Sequence, residues 1–263
     1  MSSGQASNIV GTVLADRFNI VREIGGGAMG AIYEAVHVAV GRRFAVKVLH
    51  TEFSSRSARE RFFHEARAAG ALSHPHIVPV VDFGLLEGGS PYIVMEYVDG
   101  ETLERVVERD APLPWQDAVE VCAQLLSALE VIHGAGLVHR DLKPANVMLA
   151  RVRRPAIFSR LLDFGVSRAL KEAWRRPDLT RANEVLGTPA YFSPEQAARM
   201  PVSPQWDLWA VGAILYELLS GELPVRLESV GQVINDLLHH NLVPLHQRGL
   251  DLPLPLHLRG RPR

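Results

Sequence analysis

The chain has 263 residues, 47% of them hydrophobic and 22% charged, the composition of a folded protein with one large domain or two lobes. Its formal net charge of −1 excludes broad attraction to nucleic acid or to an anionic membrane surface. The single cysteine, Cys122, excludes an intrachain disulfide. No apolar run is long enough to span a membrane, and Met1–Asn8 lacks the charge-then-apolar order of a signal peptide, so a soluble cytoplasmic protein is expected.

In chain order, residues 1–17 are expected to be disordered or loosely attached, starting with the small and polar Met1–Asn8. Phe18–Ile24 alternates like a strand and runs into Gly25-Gly26-Gly27-Ala28-Met29-Gly30, where glycines 25, 27 and 30 fit G-x-G-x-x-G. A backbone without Cβ atoms can approach phosphates and offer them its N–H groups, although the motif alone also fits an ordinary glycine-rich hairpin. Ala31–His37 reads as a strand, where a dinucleotide-binding turn would need a helix. Arg43–Leu49 is another strand, and alternation puts Ala45 and Lys47 on one face. Ser57–Ala71 reads as a helix capped by Ser54, Ser55 or Ser57. Phe62, Ala66 and Ala69 form its apolar stripe, with Glu65 beside it. Pro91–Val98 is an apolar strand ending at Asp99-Gly100.

Thr102–Arg109 and Trp115–His133 read as helices. The second is assigned Val119, Leu125, Leu126, Leu129 and Ile132 as its buried face, contains Cys122 as a buried thiol, and ends at Gly134 and Gly136. Leu137–Leu149 then gathers Asp141, Lys143 and Asn146 into one polar loop whose apolar flanks are read as two short strands. A basic connector with Arg151, Arg153 and Arg154 leads to Leu161-Leu162 and Asp163-Phe164-Gly165, and the charged Lys171–Gly187 has the composition of an exposed loop. Gln205–Ser220 is a strongly apolar helix carrying Asp207, a carboxylate that is costly to bury unless paired.

Read together, His139–Asn146 (H-R-D-L-K-P-A-N), Asp163-Phe164-Gly165, the Gly25–Gly30 loop and Ala45-Val46-Lys47 resemble the protein kinases. PYIVMEYVDGETL, HRDLKPANVML and SPEQA are most similar to bacterial serine/threonine kinases, and Lys143 and Gly187-Thr188-Pro189 resemble the serine/threonine class. The resemblance implies an α+β, bilobal protein kinase-like fold. Residues 18–98 would be the N-lobe and hinge, 99–245 an incomplete C-lobe and 246–263 an irregular tail. It implies ATP and Mg²⁺ as cofactors, protein substrates, self-association for autophosphorylation, and neither nucleic acid nor a membrane segment as partner. ATP would be held by Ile24, Gly25, Gly26, Gly27, Ala28, Met29 and Gly30, and by Ile32, Ala45, Lys47, Glu65, Glu96, Val98 and Met148. Met95 would guard the back of the pocket. Asp141 would be the catalytic base and Lys143 would neutralise the transferring phosphoryl. Asn146 and Asp163 would hold two Mg²⁺ ions, Thr180 and Arg140 would form a phosphorylation switch, and Asp207 would hydrogen-bond the catalytic-loop backbone.

Kinases of this type continue beyond a helix near Ser229–His239 and carry a late arginine that pairs with the glutamate of the S-P-E segment, here Glu195. Leu250–Arg263 instead holds three prolines, so the C-terminal lobe is expected to be truncated, with Arg259 as a poor substitute partner. The alternative to an active kinase is a catalytically weak or inactive kinase-like ATP-binding scaffold.

Overall fold

A computed structural model describes residues 9–27, 30–49, 56–151, 157–162 and 189–250; Ala28, Met29, Asp163, Thr180 and Arg259 lie outside the described residues. The chain divides into two compact units, with the boundary between Asp99 and Gly100. The architecture is α+β.

The first unit is built on six strands: β1 (Val13–Leu14), β2 (Phe18–Gly27), β3 (Gly30–His37), β4 (Arg43–Leu49), β5 (Val80–Leu85) and β6 (Pro91–Glu96). They pair antiparallel in the order β1-β2-β3-β4-β6-β5. Alternation sorts their faces. Ala31, Tyr33 and Ala35 of β3, Phe44, Val46 and Val48 of β4, and Tyr92 and Val94 of β6 fill one core with Phe18 and Ile20. Fully burying one such aliphatic or aromatic side chain contributes roughly 1.5–3 kcal/mol. Helix α1 (Arg56–Gly70) buries Phe62, Ala66 and Ala69, the stripe read from the sequence. Ser57 lies inside the helix rather than at its cap, and its hydroxyl accepts from Arg61 Nη1 at 3.2 Å.

Three readings need correction here. Over residues 9–17 the N-terminal segment is attached, because Leu14 is buried and Val13 and Leu14 pair with Asn19 and Phe18. Strand β2 runs past Ile24 to Gly27, its ladder interrupted between Ile20 and Arg22 and between Glu23 and Gly25. The Pro91–Val98 strand ends at Glu96, and β5 has no counterpart in the sequence reading.

The second unit begins with β7 (Gly100–Thr102), α2 (Leu103–Asp110) and α3 (Trp115–Gly134). Strands β8 (Val147–Ala150) and β9 (Ser159–Leu161) join β7 in a sheet ordered β7-β8-β9. Then come α4 (Pro194–Ala197), α5 (Gln205–Ser220) and α6 (Val230–Leu238). Hydroxyls cap three helices: Thr102 accepts from Arg105 N–H, Ser193 from Gln196 N–H and Ser229 from Gln232 N–H.

Helix α3 packs against α5, but not on the face expected. Val121, Leu125, Ala128, Leu129 and Ile132 are buried with Cys122, whereas Val119 and Leu126 are 37% and 44% exposed. Seven residues apart, Val119 and Leu126 share a stripe beside the core face, and a one-residue phase error put them inside it. The same phase buries Gln124. Its Nε2 donates to Ile157 O (2.8 Å) and Glu120 Oε1 (2.7 Å), and its Oε1 accepts from Ser159 N–H (2.7 Å) and Oγ–H (2.9 Å), which fastens β9 to α3.

Leu137 and Val138 form no strand, so the polar loop is flanked by a ladder only on its downstream side, at β8. A 3₁₀ turn at Leu245–Arg248 runs into the stretch 246–263 expected to be an irregular tail. There Arg248 Nε donates to Tyr216 Oη at 2.8 Å, and its guanidinium also bonds Glu222. Asp236 is fully buried, and the guanidinium of Arg226, 2.9 Å from Oδ1, holds its carboxyl below the usual carboxylate range.

Candidate active site

The first unit carries a row of candidate residues across its sheet. Ile32, Lys47 and Ile93 are direct cross-strand partners on β3, β4 and β6, and the next row pairs Ala45 with Met95. Directly opposed residues share a face, so the backbone brings Ile32, Ala45, Lys47 and Met95 to the face opposite Val46 and Val48. Ala45 and Lys47 are half-buried and Met95 is buried. At the far end of the β2–β3 hairpin, Gly25 pairs with Ile32, Gly26 with Ala31 and Gly27 with Gly30. A Cβ on Gly30 would lie 2.1 Å from the carbonyl oxygen of Val48, so the hairpin can lie this close to β4 only with glycine there. Ile24 is partly exposed beside the glycines, and Glu65 is half-buried on α1 next to the Phe62–Ala66 stripe. Glu96 ends β6, and Val98 lies two residues beyond it.

The second unit carries the polar loop, organised by Asp207. This carboxylate, 1% exposed on α5, accepts the His139 N–H at Oδ2 and the Arg140 N–H at Oδ1, each at 2.8 Å, with His133 Nε2 2.8 Å from Oδ2. A buried carboxylate with three donors has its charge compensated, which settles the cost seen in the sequence. Arg140 sits at φ +68°, a left-handed conformation that a non-glycine residue holds only under restraint. Its carbonyl accepts from Gln196 Nε2 at 3.1 Å, and its Nε is buried without a hydrogen-bond partner among the described residues. His139 is buried, with Nε2 2.9 Å from Leu162 O, which binds the loop to the end of β9.

Within the loop, Asn146 Nδ2 donates to the Asp141 carbonyl at 2.7 Å, and Leu162 N–H donates to the Asn146 carbonyl at 2.9 Å. Lys143 Nζ is 3.7 Å from Asp141 Oδ2. With its nitrogen engaged, the Asn146 side chain keeps an oxygen suited to a hard cation such as Mg²⁺. Met148, on β8, pairs with Thr102 and Arg160. A small cavity in this unit is lined by Asp141, Lys143, Tyr191, Phe192, Gln196 and Trp206. Beside it the Tyr191 hydroxyl donates to Glu217 Oε2 at 2.6 Å. Burial pushes both of these groups up, and the neighbouring Glu104 adds to the rise. Glu195 is half-buried in the first turn of α4.

The sequence reading named Asp141, Lys143, Asn146 and Asp207. No supporting role was assigned there to His133, His139, Gln196 or Gln124. His139 and Gln196 stood inside the H-R-D and S-P-E-Q-A motifs, and Gln124 showed as a polar residue in the phase of an apolar helical stripe.

Residues 18–252 match the protein kinase domain family. The serine/threonine-protein kinase pkn3 of Myxococcus xanthus is 40% identical over 230 residues, 87% of this chain and 42% of that protein. A probable serine/threonine-protein kinase PknB of Lactococcus lactis is 41% identical over 217 residues, 82% of this chain and 33% of that protein. The chain thus spans less than half the length of these curated relatives. Among solved structures, the Mycobacterium tuberculosis PknI kinase domain aligns with a TM-score of 0.65 at 30% identity, covering 82% of this chain and 78% of that one. Rad53 1–466 in complex with AMP-PNP aligns at 0.70 and 27% identity, covering 89% and 57%.

Proposed function

Because the chain belongs to the protein kinase family, we propose that it transfers the γ-phosphoryl group of ATP to serine or threonine hydroxyls of proteins. The observation that carries this reading is the loop Arg140–Asn146, fixed at its backbone by Asp207 and closed internally by Asn146. Phosphoryl transfer asks little covalent chemistry of a protein, so a rigid polar loop is the feature that matters. Asp141 orients the acceptor hydroxyl and takes its proton. Lys143, beside that carboxylate, offsets charge on the transferring group. Lys47 holds the α- and β-phosphates with Glu65 as its partner, and the Gly25–Gly30 backbone covers them. Ile24, Ile32 and Ala45 line the adenine, with the backbones of Glu96 and Val98 as its hydrogen-bonding edge. Asn146 and Asp163 would hold Mg²⁺, which when bound neutralises phosphate charge.

The test is label transfer from γ-labelled ATP, with Mg²⁺, to the protein itself and to a serine-containing peptide. Wild type should label both. Asp141→Asn should cut the rate by about 10²–10⁴, the usual worth of a positioned general base. Lys47→Met should abolish transfer and leave the melting temperature near wild type. Wild-type turnover in either variant would show that these residues have other roles, and ATP binding without any transfer would identify a nucleotide-binding scaffold.

A further inference from the structure

Arg43, the first residue of β4, and Arg42 just before it both reach toward the segment where the chain leaves the first unit. Arg42 Nη2 is 3.0 Å from Glu96 Oε1. The Arg43 guanidinium lies over the Tyr97 ring, 4.4 Å from its centroid. Arg43 also has Glu34 Oε1 at 3.8 Å and Asp99 Oδ2 at 4.0 Å. Glu34 is a buried, stationary anion, already bonded by Arg22, so Arg43 spans from a fixed point in the sheet to Tyr97 and Asp99. Both ion pairs are long and Arg43 is 48% exposed, so they contribute little. The closer contact is the cation stacked on the aromatic face.

The β4–β6 ladder stops at the Phe44–Glu96 pair, so Tyr97 lies just past the last strand residue. Tyr97 also separates the Glu96 carbonyl from the Val98 N–H, the pair assigned above to the nucleotide base. Adenine offers a donor (its 6-amino group) beside an acceptor (N1), whereas guanine offers an acceptor (O6) beside a donor (N1–H). A backbone acceptor and donor distinguish the two only if their directions are fixed, and a pinned side chain between them fixes those directions. We propose that Arg43 is a positioning residue that, by stacking on Tyr97, holds the Glu96–Val98 backbone rigid and sets the preference for adenine over guanine nucleotides. This rests on the nucleotide reading of the preceding section.

The experiment compares ATP with GTP, by competition against a fluorescent ATP analogue and by steady-state transfer, using the full chain. Arg43→Ala should raise the KM for ATP roughly three- to tenfold, with kcat at saturating ATP and the weak binding of GTP each moving by no more than about twofold. Tyr97→Leu should reproduce this, and the double variant should be no worse than either single change. Tyr97→Phe keeps the ring and should keep the wild-type ATP/GTP ratio. Arg43→Lys, with a cation but no planar face, should fall between. Melting temperatures separate this role from a structural one, in which ATP and GTP constants would shift together. An unchanged ATP/GTP ratio in Arg43→Ala, or additive effects in the double variant, overturns the proposal. If wild type binds ATP and only these variants behave otherwise than expected, the positioning role alone falls; if wild type binds neither nucleotide, the functional reading falls with it.

Discussion

Asp207→Ala removes one carboxylate and leaves two backbone donors, the buried N–H of His139 and the part-buried N–H of Arg140, and the His133 ring nitrogen without their acceptor. Each stranded donor costs about 1–3 kcal/mol, and more when the lost acceptor was charged. The left-handed backbone at Arg140 loses its restraint at the same time, and relaxation there returns about 1–2 kcal/mol of strain. The net expectation is a loss of about 2–5 kcal/mol, a large share of the roughly 5–15 kcal/mol that stabilises a domain. Urea unfolding followed by tryptophan fluorescence should show a lower midpoint at an unchanged slope, and label transfer should fall with it because Asp141 adjoins the released backbone. Asp207→Asn keeps one acceptor oxygen and turns an NH₂ toward the other donor, so it should lose about half as much and gives a graded reading even if the alanine variant fails to fold. A stability within about 0.5 kcal/mol of wild type in Asp207→Ala would mean that the loop is held elsewhere and that the three bonds to Asp207 are incidental.

Two further outcomes follow from perturbed groups. Burial first, and Glu104 second, push the Glu217 carboxyl above its usual 4.5, while the Tyr191 hydrogen bond acts the other way. The native state therefore binds more protons than the unfolded one as pH rises above about 4.5, and stability falls through that window. Glu217→Gln keeps an acceptor for Tyr191, so it should melt higher than wild type near neutral pH, with the difference vanishing toward pH 4.5; a pH-independent difference would contradict the assignment. Burial pushes the Cys122 thiol up to about 12, leaving almost no thiolate at pH 8. Iodoacetamide should then modify Cys122 in urea but not in the native protein, and native labelling detected by mass spectrometry would refute its burial.

The parts of the molecule legible in the sequence are those whose signal is local. Lys47 could be placed on a face because β4 alternates over seven residues, and α5 could be bounded because its apolar run is long. Asp207 stood out as a carboxylate in an apolar helix, and the resemblance pointed it at the catalytic-loop backbone; the fold adds that the donors are the His139 and Arg140 N–H groups, with His133 beside them. Strand β5 went unread although Val81, Phe83 and Leu85 alternate with Asp82 and Gly84: the run is only six residues long and lies at the sheet edge, where one partner strand suffices. The phase of α3 was ambiguous because Leu125 and Leu126 are adjacent and equally apolar, so only packing against α5 chooses between them. The arrangement of Arg43, Glu34 and Tyr97 joins residues far apart in the chain, and none has an unusual neighbourhood of its own. The site residues proposed for nucleotide and metal came from motif order, which names positions without giving the bonds that hold them.

Gln124 shows how narrow a single position can become. Both ends of its amide are engaged, the nitrogen with Ile157 and Glu120 and the oxygen twice with Ser159. Glutamate would match its shape but could not donate, methionine would fill the space but do neither, and asparagine would fall one methylene short. Gln116, eight residues earlier on the same helix, stands in solvent and could be almost any residue. One letter of the alphabet thus carries nearly its full information content at one site and almost none at the other, and only the fold distinguishes them.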